Sequence, residues 1–194
     1  MQSIGHYFRT NPFGGLALLA GLMLATRFHH FGSMTHLPDA SLAVFFLAGF
    51  YLRRAVYLIP LLALAGGIDY AATQHMGVSD YCLSPAYGFL IPTYAAMWFG
   101  GRWYAARHTV SAASLAPLTG AVLTSGTAAF VISNYSFYLF SGRYPDMDWA
   151  EYGALIATYY LPYMSSAIFY AALAALAHIG VTGTSPVQGN AARP

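Results

Sequence analysis

The chain has 194 residues, of which 58% are hydrophobic and 7% charged, and its formal net charge is +2. Soluble globular domains carry about 25% charged residues, so this composition excludes a water-covered domain and predicts that most of the surface faces lipid. The small net charge and the scattered arginines exclude nucleic-acid binding, and the one cysteine, Cys82, excludes an internal disulfide.

Six apolar runs follow one another along the chain, at about residues 12–31, 40–52, 55–74, 85–99, 115–138 and 150–178. A hydrocarbon core of about 30 Å takes about 20 helical residues, and a backbone in lipid must satisfy its own hydrogen bonds. The runs therefore predict an all-α, six-helix membrane domain over residues 1–180, with a flexible tail over 181–194. The second run is short enough to be a re-entrant or interfacial segment instead.

The arginines predict the orientation of this bundle. If the N-terminus is cytoplasmic, only Arg27 and Arg143 lie outward, as the positive-inside rule asks. The same topology places five acidic residues outside and leaves Asp69 as the one acid within a span. This distribution of charged residues requires the second apolar run to cross the membrane. We therefore predict a multi-pass protein of the cytoplasmic (inner) membrane, with both termini inside. The cytoplasmic arginines are Arg9, Arg53, Arg54, Arg102, Arg107 and Arg193.

Asp69 is the first candidate site residue. It follows Arg54 by fifteen residues, about 22 Å along a helix, which places it in the outer part of the membrane. Ionisable groups at such depth usually face the bundle interior or a water-filled cavity, and they indicate a functional site. The structural alternative is an ion pair with Arg27 or a cap at a helix end.

Cys82 lies in the sequence DYCLSPAYG, a predicted outward loop between the third and fourth runs. A thiolate is a soft metal ligand and a strong nucleophile, although a lone cysteine is also commonly an inert small hydrophobic residue. His29 and His30 follow Arg27 on the same side. Adjacent helical residues point about 100° apart, so only one of these imidazoles can face the bundle.

Aromatic and amide side chains surround these candidates. Tyr81 and Tyr87 flank Cys82 in sequence, and Asn134 and Tyr135 close the fifth run on the outward side. Flat rings with polar tips suit a large amphipathic ligand, whereas the alternative is an ordinary interfacial aromatic belt.

The first run carries Ala17, Gly21 and Ala25 at four-residue spacing. Such a stripe of small residues lets another helix approach closely. It serves either packing within the bundle or docking of a partner membrane protein.

The segment GGIDYAATQHMGVSDYCLSPAYGFLIP resembles the BtuM family of predicted cobalamin transporters, which are similar to solitary relatives of the S-components of energy-coupling factor (ECF) transporters. Asp69, Cys82 and Tyr87 carry the resemblance, with His30 as a further match. It implies a six-helix bundle that holds a cobalamin or related corrinoid near its outer face.

For Cys82 the resemblance implies a cobalt ligand. Soft thiolate donation would displace the upper axial group, so that cyanocobalamin is also decyanated. His30 and Asp69 are implied to hold the ligand or to position its lower side. Tyr87 is implied to stack on the corrin edge or to form a hydrogen bond with it.

S-components that share an energising module typically show Ala-x-x-x-Ala in their first helix, whereas here Gly21 follows Ala17. Docking to an ECF-type module and a solitary mode both stay open. Two other function classes also remain: a redox membrane protein that holds haem or quinone between histidines, and a carrier of another vitamin or of a metal ion, for which Cys82 would be incidental.

Overall fold

The computed structural model describes residues 4–27, 37–109 and 111–183, apart from the side chains of Cys82 and of residues 181–183. Within these residues all regular structure is helical, and seven α-helices are formed. They are α1 (Ile4–Thr10), α2 (Pro12–Arg27), α3 (Ser41–Tyr51), α4 (Leu58–His75), α5 (Leu90–Ala105), α6 (Leu115–Phe140) and α7 (Trp149–Gly183). Short 3-10 turns cover Ala55–Tyr57, Asp80–Cys82, Pro85–Phe89 and Ala112–Ser114.

The predicted all-helical fold class is confirmed, and each apolar run overlaps one of the helices α2 to α7, although α5 continues six residues beyond its run, to Ala105. The additional helix α1 is separate because Asn11 begins a new helix, its Oδ1 accepting a hydrogen bond from the backbone N–H of Gly14 at 3.0 Å. α7 continues to Gly183, so the first three residues of the predicted tail are helical. The end of the first run, at 28–31, and the tail residues 184–194 lie outside the described residues.

Among the residues that the structure describes, three helical stretches are long and apolar enough to cross a membrane: Ala55–His75, Ala112–Phe140 and Trp149–Gly180. The helices Pro12–Arg27 and Ser41–Tyr51 are apolar but shorter. The chain thus has the composition and helix lengths of a membrane protein, while the count of six spans stays a prediction.

Prolines mark the starts of several helices. Pro12 is the first residue of α2, and Pro60, Pro92 and Pro117 lie in the first turns of α4, α5 and α6. The N–H groups of a first turn have no partner within the helix, so a proline there loses no hydrogen bond and its fixed φ favours the helix.

The short helix α3 forms the centre of the bundle. Nine of its eleven residues are buried, as expected for a helix that is apolar on every side. It crosses α5 closely because both helices have glycine at the contact. A Cβ on Gly49 would overlap the carbonyl oxygen of Trp98, and a Cβ on Gly101 would overlap that of Phe46.

The bundle has two chemically different ends. At one end, here called the Cys82 end, α4 stops, α5 begins, and residues 76–89 connect them. At the other, the arginine end, the turn after α3 meets the end of α5. There Arg53 Nη2 donates to the carbonyl of Ala105 at 3.3 Å, and Arg102 Nη1 donates to the carbonyl of Arg53.

Candidate functional site

A buried ion pair lies near the Cys82 end, between the last turn of α2 and the C-terminal half of α4. Arg27 Nε donates to Asp69 Oδ1 at 2.8 Å, and Arg27 Nη2 donates to Asp69 Oδ2 at 2.7 Å. The two residues are 2% and 7% exposed. Two parallel bonds of this length are the strong, geometrically specific form of an arginine–carboxylate contact. The structure therefore forms the ion pair that was the structural alternative for Asp69.

The third nitrogen of Arg27 joins two more elements to this pair. Nη1 donates to Tyr94 Oη of α5 at 2.6 Å, to Ser41 Oγ of α3 at 2.8 Å and to Asp39 Oδ2 at 3.4 Å. Asp39 in turn accepts hydrogen bonds from the backbone N–H and the hydroxyl of Ser41 at the start of α3. One guanidinium thus fixes the relative positions of α2, α3, α4 and α5.

Tyr87 connects this network to the segment that carries Cys82. Its hydroxyl donates to Asp69 Oδ2 at 2.8 Å from the 3-10 turn Pro85–Phe89. We call Arg27, Asp39, Ser41, Asp69, Tyr87 and Tyr94 the polar cluster. Ser41 and Tyr94 could not be recognised as members from the sequence, because a serine at a helix start and a tyrosine in an apolar run are both common and carry no local signal of a distant arginine.

Cys82 is the last residue of the 3-10 turn Asp80–Cys82, which begins where Ser79 Oγ accepts a hydrogen bond from the N–H of Tyr81. The turn ends where the N–H of Leu83 bonds to the carbonyl of Asp80. These hydrogen bonds order the turn that ends at Cys82. The next turn, which bears Tyr87, begins only three residues later at Pro85. His29, His30 and His36 lie outside the described residues.

Aromatic rings from α6, α7 and the two connecting segments gather at the same end. Tyr81 Oη lies 3.0 Å from Tyr144 Oη, and the Tyr81 ring centroid lies 5.6 Å from that of Phe137. The guanidinium of Arg143 lies 4.8 Å from the centre of the Tyr81 ring, within cation–π range. Tyr81 remains 41% exposed. We call Tyr81, Phe137, Tyr138, Tyr144, Trp149 and Tyr152 the aromatic cluster.

The two predicted residues of α6 have different surroundings. Tyr135 is 53% exposed and stacks on Trp149 at 5.0 Å between ring centroids. The side-chain amide of Asn134 donates to the carbonyl of Phe130 in its own helix at 2.9 Å. Its backbone carbonyl accepts the hydroxyl proton of Tyr152 at 3.0 Å. Tyr135 therefore extends the aromatic cluster, whereas the Asn134 amide is engaged locally.

Ala17, Gly21 and Ala25 all lie on the exposed face of α2. A Cβ on Gly21 would contact nothing within 4 Å. The small-residue stripe is therefore not used for packing against the described helices. Its predicted role in docking a partner stays a prediction.

The described side chains include no cluster of three or more histidine, cysteine, aspartate or glutamate residues placed to hold a metal ion. The polar cluster, the Cys82 turn and the aromatic cluster together make the Cys82 end the chemically richest part of the described chain. No protein-family model matches this chain, and no curated protein matches it at a significant level of similarity.

Proposed function

We propose that this chain is a cobalamin-uptake protein of the cytoplasmic membrane, a six-span bundle of S-component type that binds the corrinoid at its outward Cys82 end. The observation that carries the proposal is the hydrogen bond from Tyr87 to Asp69, itself held by Arg27. It ties the segment that bears Cys82 to the core of the bundle. Three residues that carry the family resemblance therefore lie in one connected structure.

The aromatic cluster supports a large amphipathic ligand. Tyr81 and Tyr135 are half exposed and lie on the side where Cys82 is anchored. Aromatic faces bind flat conjugated rings, and their hydroxyl groups can bond to amide substituents around such rings. A corrin ring with its peripheral amides has this chemistry.

Cys82 is the cobalt ligand in this proposal. Its thiolate forms a bond to the cobalt of the incoming cobalamin, and the upper axial cyanide leaves with its electron pair, so the oxidation state of cobalt is unchanged. Cobalt arrives within the corrin ring, so Cys82 is the only metal-ligating side chain that the proposal requires.

The ion pair changes the role proposed for Asp69. Its carboxylate receives two bonds from Arg27 and one from Tyr87. We therefore assign it the positioning of the Cys82 segment rather than direct contact with the corrin. Tyr87 shares that role through its hydroxyl. The contribution of His30 stays a prediction from the resemblance.

The arginine distribution supports the orientation. Arg53, Arg54, Arg102 and Arg107 lie at the end opposite the polar cluster, where the positive-inside rule places the cytoplasm. The Cys82 end then faces outward, as uptake requires.

The haem alternative is disfavoured by the one histidine pair that the described residues form. The ring centroids of His108 and His178 are 5.1 Å apart with the rings at 88°. Metal–nitrogen bonds of about 2 Å on both sides of an iron would separate the centroids by more than about 6 Å. This pair therefore cannot hold a haem between its rings.

Growth of an uptake-deficient bacterial strain tests the proposal. Expression of the chain should restore growth on limiting cobalamin, whereas Cys82→Ala should not, at equal amounts of protein in the membrane. Rescue by another vitamin, or equal rescue by the two chains, would contradict it.

Co-purification tests how uptake is energised. Recovery of an ATPase with its membrane coupling protein would indicate a shared energising module acting through Ala17, Gly21 and Ala25. Repeated recovery of the chain alone would indicate the solitary mode.

A further inference from the structure

The arginine end carries a patch of positive charge with no acidic side chain beside it. We call Arg53, Arg54, Arg102 and Arg107 the arginine patch, and all four are exposed. Both ion pairs among the described residues are formed by Arg27, at the opposite end. The six acidic residues also lie at that opposite end, and they are Asp39, Asp69, Asp80, Asp146, Asp148 and Glu151. An anion that balances the patch therefore comes from outside the described residues.

Backbone carbonyls hold two of these guanidinium groups where the ends of α3 and α5 meet. Arg53 donates from Nε to the carbonyl of Phe50 at 3.4 Å and from Nη2 to that of Ala105 at 3.3 Å. Arg102 Nη1 donates to the carbonyl of Arg53. A guanidinium has five N–H donors, so three remain on Arg53 and four on Arg102. Donors fixed in this way suit the oxygen atoms of a phosphate group.

Arg53 has a backbone conformation that favours glycine. Its φ of 61° is the one positive value among the described non-glycine residues. This left-handed conformation costs free energy for an L-residue, and glycine is the usual residue where a helix ends in it. The two bonds from Arg53 to carbonyls leave its positive charge without a counter-ion. A function for that charge explains why an arginine occupies the position.

Exposed aromatic side chains place the arginine patch at the depth of lipid headgroups. Trp103 is exposed, and the Arg107 guanidinium lies 3.9 Å from the centre of a Trp103 ring. Tryptophan is enriched where the hydrocarbon core meets the headgroups. Phe99 is also exposed and lies three residues before Arg102, on the same side of α5. Along α5 the surface thus changes from apolar to cationic, in the order in which a phospholipid changes from acyl chain to phosphate.

We propose that the arginine patch binds an anionic phospholipid. The phosphate accepts hydrogen bonds from Arg53 and Arg102, and an acyl chain packs on Phe99. The cytoplasmic leaflet, which the proposed orientation places at this end, carries the anionic lipids that attract arginine. The site shares no residue with the polar cluster or the aromatic cluster, so it is independent of the cobalamin proposal.

Quenching of tryptophan fluorescence by brominated lipids measures this binding on the full chain. The variant Trp149→Phe leaves Trp98 and Trp103 of α5 as the fluorophores. It is reconstituted in vesicles of dioleoyl phosphatidylcholine that contain a rising fraction of dibromostearoyl phosphatidylglycerol or of dibromostearoyl phosphatidylcholine. The two brominated lipids differ in headgroup charge and not in their acyl chains. We expect the association constant of the phosphatidylglycerol to be at least about 5-fold the higher of the two.

Matched variants in the same background locate the binding. Arg53→Gly removes a guanidinium and relaxes the backbone, and it should lower the preference for phosphatidylglycerol about 5-fold. Arg102→Gln should cause a similar loss, whereas Arg53→Lys, which keeps the charge, should retain most of the preference. Arg143→Gln removes the same charge at the Cys82 end and should not change it. Thermal unfolding verifies that each variant is folded.

Equal association constants for the two lipids, or equal effects of Arg53→Gly and Arg143→Gln, would overturn the proposal. Sodium phosphate and sodium chloride at equal ionic strength separate a lipid headgroup from a free anion. Both salts should weaken the lipid preference to the same extent, because they screen charge equally. Loss of the preference in phosphate alone would show that the patch binds free phosphate, and it would also overturn the proposal.

Discussion

The guanidinium of Arg27 donates hydrogen bonds to four side chains, those of Asp39, Ser41, Asp69 and Tyr94. A charge pair in a low-dielectric interior costs free energy to desolvate, and it is retained only when good geometry and further hydrogen bonds compensate. Here both conditions hold. The consequence is that each partner depends on the other, since a single charge left at this position would have no solvent to stabilise it.

A double-mutant cycle measures this dependence. We expect Arg27→Met alone to destabilise the chain by about 3 to 5 kcal/mol, because it leaves the Asp69 carboxylate buried without its cation. The double variant Arg27→Met with Asp69→Leu should recover at least half of that loss. The free energy of unfolding in detergent is the measurement. Equal losses for the single and double variants would show that the two charges are not coupled.

Asp69 is recognisable from the sequence as an unusual residue, with an ion pair to Arg27 as the structural alternative to a ligand contact. The sequence does not distinguish the ion pair from the ligand contact, because Arg27 and Asp69 are 42 residues apart and only the packing of α2 on α4 brings them together. Tyr94, 67 residues from Arg27, gave no signal for the same reason.

Among the helices, α3 is the one whose structure differs most from the prediction made from its sequence. Its apolar run was the weakest prediction of a span, yet the helix forms from Ser41 to Tyr51 and is the most deeply buried of all those described. At 1.5 Å per residue its eleven residues extend about 16 Å, well short of a hydrocarbon core of about 30 Å. Other helices rather than lipid surround it, so its length is not set by the bilayer. Apolar runs and prolines in the sequence predict where the helices lie along the chain. They do not predict which helix is buried at the centre of the bundle.

The close crossing of α3 and α5 provides a test at this scale. We expect Gly49→Ala to destabilise the protein by about 1 to 3 kcal/mol or more, because the new methyl group would overlap the carbonyl of Trp98 and force the helices apart. Gly120→Ala in α6 is the matched control. Nothing lies within 4 Å of a Cβ there, and the change should be neutral or stabilising by up to about 1 kcal/mol. Thermal unfolding midpoints measure both, and equal midpoints would show that the crossing tolerates a methyl group.

On the scale of the whole molecule, side chains of different chemical character lie at the two ends of the bundle. The polar and aromatic clusters, with Arg27 and Arg143, lie at the Cys82 end, while Arg53, Arg102 and a cavity lined by His108 lie at the other. The separation of most arginines from the acids was visible in the sequence, because it depends only on the order of the helices. The pairing of His108 with His178 was not, since it depends on how the ends of α5 and α7 meet.

Topology can be measured with single cysteines in a Cys82→Ser background. Leu37→Cys and Arg54→Cys lie on either side of α3, and both positions are exposed. If α3 crosses the membrane with the proposed orientation, an impermeant maleimide should label Leu37→Cys in intact spheroplasts and Arg54→Cys only after permeabilisation. Labelling of both from the same side would show that α3 does not cross and that the six-span count is wrong.

The absorption spectrum of purified protein loaded with cyanocobalamin tests the central claim most directly. If the Cys82 thiolate replaces the upper axial cyanide, the corrin bands should shift on binding and free cyanide should appear in equal amount. Cys82→Ala should abolish both, while Tyr87→Phe should weaken binding and leave the shifted spectrum of the bound fraction unchanged. A spectrum that is identical for the wild type and Cys82→Ala would contradict the account.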